Sequence, residues 1–269
     1  MKREIYISNL AFSYHNFNLL KKIVKNYNLQ GIDFAPINLW KNWENFKKKI
    51  FKLENFLNKN KIKINAVQGI FYKKDFNLFD NRIWTKKKIS EHIIMIINMC
   101  EKIKCNKIII GSSNFRKKKN LDLKKADDIF VKFFSKYKNI LKKKKIFFCI
   151  ECIPLKYGED YLHDFNHLVR LIKKINSSQI RINFDTSIYH FNKFNFNYFR
   201  KNQKLIKNIQ VTEPNFKMFT KLSKKNIDFA KKLKRYKKFN KISLEIISKK
   251  MNNRRLKRSI SVFKKYYIN

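Results

Sequence analysis

Three acidic residues, Glu151, Asp185 and Glu245, each close a short apolar run. The runs read Ile146-Phe-Phe-Cys-Ile-Glu151, Ile180-Arg-Ile-Asn-Phe-Asp185 and Ile242-Ser-Leu-Glu245. A fourth run, Ile206-Lys-Asn-Ile-Gln210, falls between the second and third and carries an amide in place of the acid. The four positions are 34, 25 and 35 residues apart, about one strand-plus-helix unit each. Polar groups delivered once per βα unit, at strand C-terminal ends, are what the active site of an α/β barrel is built from. Carboxylates on such a rim hold a divalent cation or move protons.

The elements that must carry these residues are short β-type runs alternating with longer helical stretches. Strands are expected at Glu4–Leu10, Gly31–Ala35, Lys61–Gln68, Lys107–Gly111, Ile146–Glu151, Ile180–Asp185, Ile206–Thr212 and Lys241–Ile246. Three- and four-residue apolar spacing predicts helices over Trp43–Leu57, Ile89–Ile103, Ala126–Leu141, Tyr161–Ile175 and Arg254–Tyr266. Eight βα units point to a (β/α)8 barrel rather than an open doubly wound sheet. Strand parity agrees. If Asp185 points inward, so do Asn183 and Arg181, while Ile182 and Phe184 face the helices. Gln210 shares a face with Asn208 and Thr212, and Glu245 with Ser243. No Ser/Gly tract or linker interrupts the chain, so residues 1–269 read as one domain.

The net charge of +45 comes from 64 Lys and Arg against 19 Asp and Glu. The lysines run along the whole length, accompanied by Asn, Ile, Phe and Tyr, all with A/T-rich codons. That reads as genome bias rather than a dedicated nucleic-acid surface, which would cluster its cations on one face. Met1-Lys2-Arg3 is followed by a stretch broken by Ser8 and Asn9, with no secretory signal and no apolar run long enough for a membrane helix. A cytoplasmic location is the expectation. Cys149 and Cys152 form a C-x-x-C pair inside a strand-like run, where alternation sends them to opposite faces and away from a shared metal. His163 and His167 lack the glutamate of a zinc-protease helix and read as a solvated face, while His92 reads as packed in its helix. Arg116, ending the fourth βα loop, could bind a substrate phosphate or carboxylate, or belong to the lysine run after it. Gln68 could hold a sugar hydroxyl or cap its strand, and His15, just past the first strand, could reach the pocket rim. The acids themselves could instead pair with inward cations such as Arg181 or Lys241.

Ser8-Asn9-Leu10-Ala11-Phe12, then Gly31-Ile-Asp-Phe-Ala-Pro36 with Trp40 and Trp43, resembles the opening of xylose isomerase-like TIM-barrel proteins. The sugar phosphate isomerase/epimerase group is the nearest resemblance. Gln68-Gly-Ile-Phe71, Ile110-Gly-Ser-Ser-Asn-Phe-Arg116, Ile150-Glu-Cys-Ile-Pro154 with Tyr157-Gly158, Phe184-Asp-Thr186, Val211-Thr-Glu-Pro214 and Ser243-Leu-Glu-Ile246 continue that resemblance in order along the chain. It implies a metal set of Glu151, Asp185, Gln210 and Glu245, with Glu151 and Glu245 also transferring protons. Gln210 stands where the family has His. A family His three residues after the Asp is absent too: Ile188 is there, and His190 is the nearest imidazole. Asp33 matches an acidic family position. An all-oxygen set suits one Mn²⁺ or Mg²⁺ better than Zn²⁺. The implied activity is isomerisation or epimerisation of a small sugar or sugar phosphate. Two alternatives stand beside it: a catalytically degenerate barrel serving as a binding or accessory protein, and an apurinic endonuclease-like nuclease. The latter needs a His-rich multi-zinc site, against five histidines here. Oligomeric state is open, a homodimer being common among barrels.

Overall fold

The computed structural model describes residues 3–12, 17–191, 194–247 and 253–268. Eight strands form a closed barrel: β1 (Glu4–Ser8), β2 (Gly31–Phe34), β3 (Lys63–Val67), β4 (Lys107–Ile110), β5 (Phe147–Glu151), β6 (Ile180–Asp185), β7 (Ile206–Val211) and β8 (Lys241–Leu244). Each pairs in parallel with its sequence neighbours, and β8 returns to β1. The (β/α)8 expectation is met, and all eight expected strands are present, β6 with the bounds expected and the other seven trimmed by a residue or two at one or both ends. β1 stops at Ser8 because Ser8 Oγ accepts the Leu10 amide at 3.1 Å and turns the chain into a short 3-10 segment.

Parity within the strands decides what lies inside. Ile182 and Phe184 on β6, Ile209 and Val211 on β7, and Ile242 and Leu244 on β8 are buried against the helices. Each such side chain contributes about 2 kcal/mol. Phe184 stacks on Phe229 (5.3 Å between centroids) and meets Phe199 edge-on, tying β6 to the helices Lys224–Leu233 and Phe196–Asn202. The intervening residues Asn183, Asp185, Asn208, Gln210 and Ser243 are buried on the other face, in the barrel lumen. Cys149 packs inside with Ala66 and Ile109, while Cys152 joins the outer core; both are free thiols.

The helices differ from expectation in detail. The segment expected as one helix, Ala126–Leu141, is two, Leu123–Ser135 and Lys138–Lys144. They separate where Tyr137 turns in to meet Phe148 and Phe133. The Tyr161–Ile175 helix begins at Phe165, where Asp164 accepts the His167 amide at 2.7 Å. His167 is accordingly not on a solvated face: it is buried, with Nε2 2.8 Å from Asp127. His92 packs as expected, among Trp43, Phe71 and Phe76. Glycine is scarce, and helices end on Lys61, Lys145 and Asn176 in the left-handed region that glycine usually fills. No described helix is long and apolar enough to cross a membrane.

Candidate active site

The strands deliver their polar termini to one end of the barrel. Glu151 ends β5, Asp185 ends β6, Gln210 is next to last on β7, and Glu245 follows β8; Ser8 ends β1, and Gln68 and Gly111 follow β3 and β4. A cavity of about 220 Å³ opens there, lined among others by Gln68, Gly111, Glu151, Tyr157, Phe216 and Glu245. A larger groove of about 750 Å³ lies on the outside, between helices Phe46–Asn60 and Ile83–Lys102. It is mostly apolar and gathers no convergent polar groups, so size alone does not mark the site.

Glycine is required at one point of this rim. A Cβ at Gly111 would stand 2.3 Å from Glu151 Oε2, so the missing side chain is what makes room for the carboxylate. Also on the cavity, Tyr157 leans on Phe216 at 4.9 Å and its hydroxyl accepts the Asn215 amide at 2.9 Å. Asn215 and Phe216 both have positive φ, 60° and 54°. A bulky aromatic in that conformation is strained, and such strain gathers at functional loops.

Below the cavity the lumen holds a continuous hydrogen-bonded network. Glu151 Oε2 accepts from Asn183 Nδ2 at 3.1 Å, and Glu245 Oε1 from Gln68 Nε2 at 3.1 Å. Each carboxyl is therefore anchored through one oxygen, and its other oxygen accepts nothing from the described residues. Gln210 sits between them: its Oε1 accepts from Asn183 at 2.6 Å, and its Nε2 donates to Gln68 at 2.6 Å and Asp33 at 3.1 Å. Deeper still, Lys107 Nζ donates to Asn65 and Asn208 at 2.5 and 2.7 Å. Asp33 accepts from Asn65 and Ser243 as well. Burial lowers the Lys107 pKa, with Asp33 opposing, and raises that of Asp33, offset by Ser243, Lys107, Asn65 and Gln210.

Charge is concentrated where the cavity meets this network. Burial, then repulsion from Asp185, pushes Glu151 up to about 8. Burial, then the charges of Asp185, Glu151 and Asp33, holds Glu245 well above the carboxylate range. Burial also raises Asp185, although Ser187 and Thr212 donate to its Oδ1 at 2.6 and 2.8 Å. Its Oδ2 is buried with no partner among the described residues. Arg181 and Lys241 do not neutralise this group: Arg181 bonds the Ser177 and Ile180 carbonyls, and Lys241 faces Glu4. Three desolvated, mutually repelling carboxylates, one with an orphaned oxygen, fit a hard divalent cation in charge and donor type. Among the described residues no three His, Cys, Asp or Glu side chains stand ready-made as a ligand cage, so the fit is one of chemistry, not of preset geometry.

The other residues singled out from sequence lie apart. Arg116 is buried and bound to Glu159, with Nε 2.8 Å and Nη2 2.6 Å from Oε2, and it does not line the cavity. His190 Nε2 lies 3.2 Å from the Thr212 carbonyl, likewise outside the lining. His15 falls outside the described residues. Ser187 and Phe216 line the cavity without having been picked out, and Tyr157 and Gly111, quoted only within motifs, line it too. Tyr157 left a signal in the Tyr157-Gly158 pair and Gly111 as one of four glycines in the chain, set at a strand end; Ser187 and Phe216 left none.

Several solved structures share this architecture. A D-psicose 3-epimerase from Clostridium cellulolyticum H10, determined with D-tagatose, superposes with a TM-score of 0.79 at 12% identity, covering 100% of both chains. The 3-keto-D-glucoside 4-epimerase YcjR from E. coli superposes at 0.76 and 11% identity, covering 98% of this chain and 99% of that one. An AP endonuclease, family 2, from Brucella melitensis superposes at 0.77 and 10% identity, covering 99% and 100%. At such identities the likeness is one of fold. No curated protein sequence matches the chain significantly. The family model for the xylose isomerase-like TIM barrel does match, over residues 22–266, and on that match the chain belongs to the xylose isomerase-like TIM-barrel family.

Proposed function

We propose that the protein is a sugar or sugar phosphate isomerase or epimerase in which Glu151 and Glu245 pass a proton to and from the carbon beside a carbonyl. The observation that carries this reading is the placement of both glutamates on one cavity, each anchored through one oxygen and open at the other. Glu151 Oε1 and Glu245 Oε2 are then the atoms that move the proton. The two residues stand on β5 and after β8, well apart around the barrel, so one withdraws the proton and the other returns it at a different face or carbon. Tyr157 and Phe216 cover the cavity with aromatic surface, which excludes water and offers a face to a sugar ring. The epimerase neighbours support a small polyhydroxy substrate.

Burial and the neighbouring acids raise both glutamates above the usual carboxylate range while the charges of the cluster stay unbalanced. A cation held by Glu151, Asp185 and Glu245, Mn²⁺ or Mg²⁺ by their all-oxygen chemistry, would supply the charge stabilisation that developing negative oxygens need. It would also lower both glutamates toward the range where one is ionised and able to act as base.

Product analysis of a panel of ketohexoses and their phosphates, with Mn²⁺ or Mg²⁺, tests the reading. Conversion by the native chain that is lost in Glu245→Gln is expected. No conversion of any member, at protein concentrations where binding of the same sugars is measured, would leave a binding barrel as the better account.

A further inference from the structure

We propose that Gln210 is a positioning residue that bridges Glu151 and Glu245 through Asn183 and Gln68, rather than a metal ligand. The proposal rests on the acid/base reading of the two glutamates for its functional meaning, but its structural content stands alone.

The atoms form an unbroken chain. Asn183 Nδ2 donates to Glu151 Oε2 at 3.1 Å and to Gln210 Oε1 at 2.6 Å. Gln210 Nε2 donates to Gln68 Oε1 at 2.6 Å, and Gln68 Nε2 to Glu245 Oε1 at 3.1 Å. Both ends of the chain are acceptors, so one link must donate in both directions, and the Asn183 amide does so. The second hydrogen of each remaining amide is used as well: Gln210 reaches Asp33 at 3.1 Å and Gln68 reaches Ser8 at 2.7 Å. Asn208 Nδ2 completes the set by donating to Asn183 Oδ1 at 2.8 Å.

Such saturation has a physical reason. All three amides are buried, and an amide group there costs heavily unless each hydrogen finds an acceptor. A Gln at position 210 supplies two donors and one acceptor on a neutral group, which is what this junction uses. An imidazole has one hydrogen and one lone pair when neutral, so it could accept from Asn183 and donate to either Gln68 or Asp33, never both. With its oxygen and its hydrogens committed to the lumen, Gln210 fixes the spacing of two carboxylates carried on different strands.

Side-chain amide hydrogen exchange, followed by NMR on the full chain, reads the bridge directly. In Gln210→Met, the Asn183 amide protons, which lose the Gln210 Oε1 acceptor, should exchange about tenfold faster, the factor that one net hydrogen bond carries, while the Gln68 amide protons keep their acceptors on Ser8 and Glu245. The amide of Asn9, bonded to Ala35, should keep its native rate. If a ketose substrate is in hand, the same variant should lose kcat with KM nearly unchanged, since the bridge holds the proton-moving groups and not the sugar. Gln68→Met cuts one arm only: the Gln210 amide should speed up and the Asn183 amide should not, which decides the matter if Gln210→Met fails to fold. Native exchange rates at Asn183 in Gln210→Met, or an indifferent Gln210 amide in Gln68→Met, would overturn the bridge whatever the turnover. Responding amides in a protein that converts no ketose would uphold the bridge and remove the sugar reading instead.

Discussion

Gly111→Ala converts a single close approach into a quantitative test of the site. The added Cβ would stand 2.3 Å from Glu151 Oε2 and 2.8 Å from its Cδ, where ordinary contact begins at 3.4 Å. The backbone at Gly111 is not in the left-handed region, so alanine fits the main chain and the overlap falls on the glutamate. The carboxylate must retreat by about 1 Å, and a shift of that size at a reacting group costs about 100-fold in rate. It also pulls Oε2 off Asn183, now at 3.1 Å. Stability should change little, because alanine's lower unfolded-state entropy, about 0.4–1 kcal/mol, opposes the local repacking. Initial rates of ketose conversion with Mn²⁺, beside a thermal melt, separate the two effects. In a Glu151→Asp background the shorter side chain leaves room for the methyl, so Gly111→Ala should cost far less there. A Gly111→Ala enzyme with native kcat, or one equally damaged in both backgrounds, would refute the role given to the Glu151 carboxyl.

Other outcomes follow from groups away from the cavity. His92, neutral among aromatic rings with Nε2 2.6 Å from the Ile70 carbonyl, is lowered by burial from 6.5 to about 4. The unfolded chain therefore binds the extra proton first, and this site's stability is complete above pH 6.5 and lost as pH falls toward 4. Urea unfolding at pH 7 and pH 4 should show native protein losing about 3 kcal/mol relative to His92→Gln across that interval, and equal losses would count against a buried neutral imidazole. Arg116→Met leaves Glu159 buried with only the Tyr161 and Leu162 amides, and should cost about 3–5 kcal/mol in urea unfolding, much of it recovered by adding Glu159→Gln. Lys145→Gly, at an exposed helix end with φ 54°, should stabilise by about 1 kcal/mol, read as a higher Tm.

The architecture was legible because period-two burial leaves a mark that lysine enrichment does not erase. Ile182, Phe184, Ile209, Val211, Ile242 and Leu244 could face only the helices, which put Asp185, Gln210 and Glu245 inside. What the chain hid was partnership. Lys107 begins β4 as one lysine among very many, and nothing local says that it turns into the lumen toward Asn65 and Asn208. Arg116 meets Glu159 across 43 residues, and His167 meets Asp127 across 40, so local spacing could not pair them. The Gln210 junction is of the same kind, since its partners come from β2, β3 and β6, and only closure of the barrel brings them together. Helix limits at Tyr137 and Phe165 were set by tertiary packing and by the Asp164 cap. Pro214-Asn215 marks a turn, but nothing local says that Phe216 also takes a positive φ.

The central claim is that Glu151 and Glu245 exchange a proton with the carbon beside a sugar carbonyl. Deuterium incorporation into ketoses in heavy water, with Mn²⁺ present, measures that step without requiring net conversion. The account predicts uptake of one deuterium at a carbon adjacent to the carbonyl by the native protein, reduced by about 100-fold or more when Glu151→Gln and Glu245→Gln are combined. No uptake by the native protein, or uptake undiminished in the double variant, would contradict it.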